Sequence, residues 1–170
     1  MSYRICVVCW GNICRSPMAE YLLKEAVADA GLADAVVVDS AGTSAEESGK
    51  EMHHRTRATL ARHGHRDLGW GTHRARRFAS DWFDEVDLVL AADHEHVRIL
   101  QERARSAADL AKIRLVRSFD PVAVAAGDLG MADPWYGTEP AYEQTYGEIM
   151  AALPGILDHV RAELVRAELA

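Results

Sequence analysis

The sequence predicts a single-domain α/β fold: a four-stranded parallel sheet in the order 2-1-3-4 with helices on both faces. Three observations carry this. Short apolar runs alternate with stretches of helical periodicity along the chain. The first run, Ile5-Cys6-Val7-Val8-Cys9, is apolar throughout, as a strand covered on both faces by crossover helices must be. At 170 residues the chain is long enough for one hydrophobic core and too short for two ordinary domains, so residues 1–170 are read as one unit.

Taken in order, the first strand ends at Trp10-Gly11-Asn12, a turn sequence. Ser16-Pro17 follows, a cap residue and a proline suited to a first helical turn, and Met18, Tyr21, Leu22, Ala26 and Ala30 continue at helical spacing until Gly31. Residues 35–38 read as the second strand, 54–63 as a helix stopped by Gly64, and 86–91 as the third strand. A helix over 94–108, a short fourth strand over 113–116 and a final helical stretch over 142–163 complete the pattern, with Pro154-Gly155 expected to kink or divide the last helix. Residues 44–50 and 118–140 read as polar loops, and in such a sheet the loops beyond the carboxyl ends of the strands carry the ligand site.

Composition narrows the function. A formal charge of -7 argues against a nucleic-acid or anionic-membrane binder, because neither phosphate surface meets a basic field here. All three cysteines fall within the first fourteen residues and cannot form a distributed disulfide framework, which favours a reducing compartment. No signal-like or membrane-length apolar segment is found, so the expected location is the cytoplasm. The eight histidines do not place two ligands one helical turn apart beside a carboxylate, and no metal or other cofactor is expected.

The chemistry concentrates in Cys9-Trp10-Gly11-Asn12-Ile13-Cys14-Arg15-Ser16. Five residues between a cysteine and an arginine can curl round a tetrahedral oxyanion, so that main-chain N–H groups and a helix N-terminus face it. Gly11 and Asn12 tolerate the positive φ that such a curl needs. Arg15 would add a planar fork to two phosphate oxygens, and the same positive field would favour the Cys9 thiolate, placed for attack on phosphorus. Cys6 and Cys9 also have a Cys-x-x-Cys spacing, but residues three apart on a strand face opposite sides, so Cys6 reads as a small buried residue. Two carboxylates compete for a general-acid role, in Asp120-Pro121 and Asp133-Pro134. Asp133 is favoured because Trp135 and Tyr136 beside it can wall a pocket against an aromatic group, whereas Asp120 reads as a turn former.

Together these residues resemble the low-molecular-weight protein tyrosine phosphatase family, through Val8-Cys9-x-Gly11-Asn12-Ile13-Cys14-Arg15-Ser16-Pro17 with Glu20. Asp39-Ser40-Ala41-Gly42-Thr43, His73-Arg74-Ala75-Arg76, Asp93 and Asp133-Pro134-Trp135-Tyr136 follow in the family's order. The resemblance implies a protein-tyrosine-phosphatase that passes through a phosphocysteine at Cys9, with Arg15 holding the transferring oxygens and Asp133 as acid and then base. It implies substrate contacts from Trp10, Gly11, Asn12, Ile13, Cys14, Ser16, Glu46, Trp135 and Tyr136, with Ser40 and His73 in support and Asn12 and Ser16 shaping the loop. Cys14 matches a cysteine that can form a disulfide with the nucleophile, and Tyr136 a position that can itself be phosphorylated. The implied partners are phosphotyrosine-containing proteins, with no nucleic acid and no membrane, and the expected state is a monomer or weak homodimer.

Two departures concern specificity. Trp10 stands where the family usually has a smaller or aliphatic residue, and Ala45, Glu46 and Glu47 occupy a segment that often carries an aromatic. Three other readings remain. Arsenate reductases share the loop but use further cysteines, and none follows Cys14. Protein-arginine phosphatases typically have threonine where this loop has Ile13. A phosphopeptide-binding module without turnover would need neither Cys9 nor Asp133.

Overall fold

A computed structural model describes residues 2–170. Four parallel strands form one sheet in the order β2-β1-β3-β4: β1 (Tyr3–Cys9), β2 (Val36–Gly42), β3 (Leu88–Ala91) and β4 (Ile113–Leu115). The expected topology is the observed one. β1 is central because its apolar residues have a neighbour on each side: Ile5 pairs with Val38 of β2 and with Leu88 of β3. Alternation sorts β1 between two cores. Ile5, Val7 and Cys9 pack on the face covered by α1 (Arg15–Asp29) and α6 (Glu139–Leu169), whereas Cys6 and Val8 face Phe78, Phe83 and Leu100. Cys6 and Cys9 thus lie on opposite faces, as the strand period requires.

The remaining helices are α2 (His54–Arg62), α3 (His94–Arg103), α4 (Ala107–Ala111) and α5 (Pro121–Ala126). Several boundaries differ from the sequence reading. β2 runs on to Gly42 because Asp39, Ser40, Ala41 and Gly42 stay in register with Cys6 to Cys9 of β1. The helix expected over 94–108 is two helices, since Ala104 turns extended and the Ser106 hydroxyl accepts from Asp109 N to start α4 anew. The 118–140 segment is not all loop: Asp120 caps α5 by accepting from Val122 N at 2.9 Å, the local role its Asp-Pro sequence suggested.

Pro154 neither ends nor divides the last helix, which is assigned unbroken over 31 residues. Gly155 serves packing there: a Cβ at this position would collide with the Phe119 carbonyl, so glycine lets α6 approach the turn after β4. Ser16 is not a helix cap either. α1 begins two residues earlier than expected, at Arg15 with Cys14 in the cap position, and the Ser16 hydroxyl is turned inward to the loop.

At the start of α3, Asp93 N donates to His96 Nδ1 at 3.1 Å and Asp93 Oδ1 accepts from His94 N, a reciprocal cap beneath the site. Burial, reinforced by Arg15, pushes His96 down to about 4, although Asp93 and Asp133 oppose the shift. Unfolded chains take up this proton below the ordinary histidine value of 6.5, and the folded protein resists it until about pH 4. Stability therefore falls as pH drops across that window, by up to about 3 kcal/mol from this one group. Urea unfolding of His96→Gln, which keeps the acceptor for Asp93 N, is expected to lose less stability than the parent between pH 7 and pH 4.5.

Candidate active site

The phosphate-loop sequence lies at the carboxyl end of β1, between Cys9 and the first turn of α1. Its curl is secured from outside. The carbonyls of Cys9 and Trp10 accept from Thr43 N at 2.8 Å and Ser44 N at 3.0 Å, and that of Ile13 from His53 N at 2.9 Å. The Asn12 carbonyl accepts from His73 Nε2 at 2.7 Å, and the Cys14 carbonyl from Thr56 Oγ1 at 3.3 Å. With the carbonyls taken, the loop's N–H groups from Gly11 to Ser16 donate to no protein acceptor among the described residues. They are free for a ligand. Gly42 permits the close turn, because a Cβ there would lie 2.5 Å from the Trp10 carbonyl oxygen.

Asn12 has φ 58 and is fully buried. Its Nδ2 donates to Ser16 Oγ and Ser40 Oγ, each at 2.9 Å, and its Oδ1 accepts from Arg76 N at 3.1 Å. Ser40 Oγ donates in turn to Glu20 Oε2. Burial pushes the Glu20 carboxyl up, but His73, Lys24 and Ser40 together outweigh it and hold the group below the usual carboxylate range. The side chains of Asn12 and Ser16 thus lie under the loop, with Ser40 and His73 behind them, while their main-chain N–H groups remain among the free donors. Asn12→Ala is expected to cost about 2–3 kcal/mol of stability in denaturant unfolding, through the lost bonds and the strained φ. Asn12→Gly, which relieves only the φ, is expected to cost less.

The cavity above the loop holds about 150 Å³ and is lined by Cys9, Trp10, Gly11, Ile13, Cys14, Arg15, Glu46, Glu47, Asp133, Trp135 and Tyr136. Cys9 Sγ lies 3.0 Å from Ser16 Oγ. Arg15 is almost wholly buried. Its Nη1 donates to the Met131 carbonyl at 2.8 Å, its Nη2 is 3.5 Å from Asp133 Oδ2, and its Nε has no partner. An unpartnered buried guanidinium N–H beside a ring of free main-chain donors is a site for an oxyanion. Asp133 Oδ1 accepts from Trp135 N at 3.1 Å, which fixes the carboxylate at the rim beside the half-exposed indole. Asp120 is absent from this cavity.

A protein-family model described as low molecular weight phosphotyrosine protein phosphatase matches residues 4–166. The chain belongs to that family. A low molecular weight protein-tyrosine-phosphatase from Streptomyces coelicolor is 47% identical over 165 residues, covering 96% of this chain and 97% of the relative. Among solved structures, a protein tyrosine phosphatase from Entamoeba histolytica matches with a TM-score of 0.86 at 25% identity, covering 95% of this chain and 99% of that one. A Drosophila arginine phosphatase matches with a TM-score of 0.80 at 28% identity, covering 91% and 96%.

Within this low molecular weight phosphatase, the sequence reading missed three contributors, Met131, Tyr142 and His53. Met131 acts through its carbonyl, which no residue type advertises. Glu47, noted with Glu46 as a departure in its segment, lines the cavity beside it. Tyr142 and His53 join the site across 89 residues of sequence, with Tyr142 Oη 3.4 Å from Cys14 Sγ and 3.2 Å from His53 Nδ1. Their only advance signal was ordinary helix patterning.

Proposed function

We propose that the protein hydrolyses phosphotyrosine in proteins through a phosphocysteine at Cys9. The observation that carries this reading is the buried Arg15 with its unpartnered Nε and the free loop N–H groups, in a loop whose Cys9 and Arg15 line one cavity. A phosphate bound there receives hydrogen bonds from the loop and a fork from Arg15, both of which strengthen as charge builds on its equatorial oxygens. The Ser16 hydroxyl, 3.0 Å from the Cys9 sulfur, can donate to it. The sulfur attacks phosphorus in line as the bond to the tyrosine oxygen breaks, and Asp133, protonated, supplies the proton that the departing phenolate takes. In the second half Asp133, now a carboxylate, accepts a proton from the water that attacks the phosphocysteine. The sulfur–phosphorus bond breaks and inorganic phosphate leaves.

Trp10, Trp135 and Tyr136 supply an apolar wall suited to an aryl ring, and Ile13 adds an aliphatic surface. The charge stabilisation that a metal provides in other phosphoryl-transfer sites falls here to Arg15 and the loop donors. The protein acts in the cytoplasm, as a monomer or weak homodimer, where its three free cysteines stay reduced. It takes phosphotyrosine-containing proteins rather than nucleic acid or membrane, since its formal charge is -7 and no described helix is long and apolar enough to cross a bilayer.

Phosphate release from phosphotyrosine, phosphoserine and phosphoarginine peptides, with arsenate turnover alongside and with chelator present, separates this reading from its siblings. Preference for phosphotyrosine by at least tenfold is expected. Faster release from phosphoarginine would move the protein to the arginine-phosphatase reading, and phosphopeptide binding without release would make it a recognition module.

A further inference from the structure

Asp133 stands at the end of a segment that has no main-chain ladder of its own. Residues 129–132 follow α5, and among the described residues their backbone groups make no hydrogen bond to another backbone group. Two guanidinium groups hold the segment instead, on consecutive carbonyls. Arg117 Nη1 donates to that of Gly130 at 2.5 Å, and Arg15 Nη1 to that of Met131 at 2.8 Å. The Met131 side chain is buried, which fixes where the segment lies. The two directed contacts fix how its peptide planes are turned, and so the direction in which the Asp133 side chain leaves the chain.

The two arginines are not equivalent. Arg15 divides its guanidinium between Met131, Asp133 and the oxyanion site, whereas Arg117 lines no part of the catalytic cavity. Arg117 is buried in the tight turn Val116–Phe119 after β4, the turn onto which Gly155 lets α6 press. Its Nη1 also lies 3.3 Å from Asp128 Oδ2 and 3.8 Å from Glu148 Oε1 of α6, and its Nε has no partner. Asp128 is exposed and a weak tether, so the charged donor on the Gly130 carbonyl is the stronger hold on the segment. Gly130 also abuts the start of α3, where a Cβ would lie 2.7 Å from Asp93 Oδ1, the atom that accepts from His94 N. Gly130 thus meets Arg117 through its carbonyl and the α3 cap through its bare Cα.

We propose that Arg117 is a positioning residue for proton transfer: by holding the Gly130 carbonyl it sets the reach of Asp133 toward the departing oxygen. This rests on the reading of Asp133 as general acid and extends that reading to a residue outside the cavity. An acid works only within hydrogen-bond reach of the atom it protonates, and a displacement of about 1 Å can cost about a hundredfold in rate. Arg117 bonds to none of the loop donors and not to Cys9. Its loss therefore leaves phosphate binding and sulfur attack in place and slows the step that needs a proton.

The test measures kcat/KM, which reports formation of the phosphoenzyme, on aryl phosphates running from phenyl to p-nitrophenyl phosphate. Wild type, Arg117→Met, Asp133→Asn and the double variant are compared. Arg117→Met keeps an apolar stem and removes the donor. It is expected to lower kcat/KM about tenfold or more on phenyl phosphate and less than about threefold on p-nitrophenyl phosphate, with inhibition by inorganic phosphate within about twofold of wild type. In the Asp133→Asn background the same substitution is expected to cost less than about twofold, because the proton it positions is already gone. If Arg117→Met does not fold, Gly130→Ala, which disturbs the same peptide from the Asp93 side, replaces it with the same expected pattern. Wild-type kinetics, a deficit equal across the series, or one that persists undiminished beside Asp133→Asn would overturn the positioning role. Should Asp133→Asn itself show no dependence on the leaving group, the acid reading falls and the positioning role with it; should only Arg117→Met lack that dependence, the acid reading stands alone.

Discussion

Cys9→Ser is expected to lower kcat for aryl phosphates by about four orders of magnitude or more, while inorganic phosphate still binds within about threefold of wild type. The two effects separate because they belong to different atoms. Binding comes from the loop N–H groups and the Arg15 fork, which the substitution leaves in place; attack comes from the sulfur. A serine hydroxyl fits the space and can keep the contact with Ser16 Oγ, but it is not ionised at neutral pH and no base is paired with it here. Steady-state kinetics with p-nitrophenyl phosphate and calorimetric titration with phosphate measure the two quantities. Weak hydrolysis together with weak binding would instead indicate a collapsed loop.

Asp133→Asn is expected to lower kcat on phosphotyrosine by about 10²–10³, within the range of a lost general acid and base. The asparagine oxygen can still accept from Trp135 N, so the rim should keep its shape and the loss should fall on proton transfer. A series of aryl phosphates checks this. Leaving groups that depart readily as phenolates need little protonation, so the deficit in formation of the phosphoenzyme should shrink as the phenol becomes more acidic. An equal deficit across the series would mean that Asp133 acts by position or charge and donates no proton.

The path from residues to site was legible where local chemistry decided the structure. The apolar run into Cys9, the turn residues Gly11 and Asn12, and the spacing to Arg15 were enough to place the loop at the end of a central strand, because each constraint acts within ten residues. Asp133 could be preferred over Asp120 from its aromatic neighbours, and the two aspartates do differ in the fold: one reaches the cavity, the other caps α5. Local rules failed where tertiary packing overrode them. Pro154 reads as a break, yet the face formed by Ile149, Ala152, Leu153, Ile156 and Val160 is buried along α6, and that packing outweighs the hydrogen bond a proline forfeits. Ser16-Pro17 has the composition of a cap, but the Ser16 hydroxyl finds partners in Cys9 and Asn12 inside the loop.

Long-range polar contacts were invisible for a different reason. The hold of Met131 on Arg15 is a carbonyl contact 116 residues away, and a main-chain oxygen is common to every residue. Tyr142 looks like one more apolar position of an amphipathic helix until the fold brings its hydroxyl to Cys14. The acidic segment was legible, with Glu46 and Glu47 both noted in it, but not the approach of Glu47 to Gly11, where a Cβ would lie 2.9 Å from the Glu47 side chain.

The central claim is a covalent phosphate on Cys9, and rapid-quench labelling tests it most directly. Asp133→Asn, mixed with a phosphotyrosine peptide carrying radioactive phosphate and quenched within milliseconds, should retain label in the peptide that contains Cys9, and Cys9→Ser should retain none. Label on a different residue, or turnover by the wild type with label on no residue at all, would contradict the account.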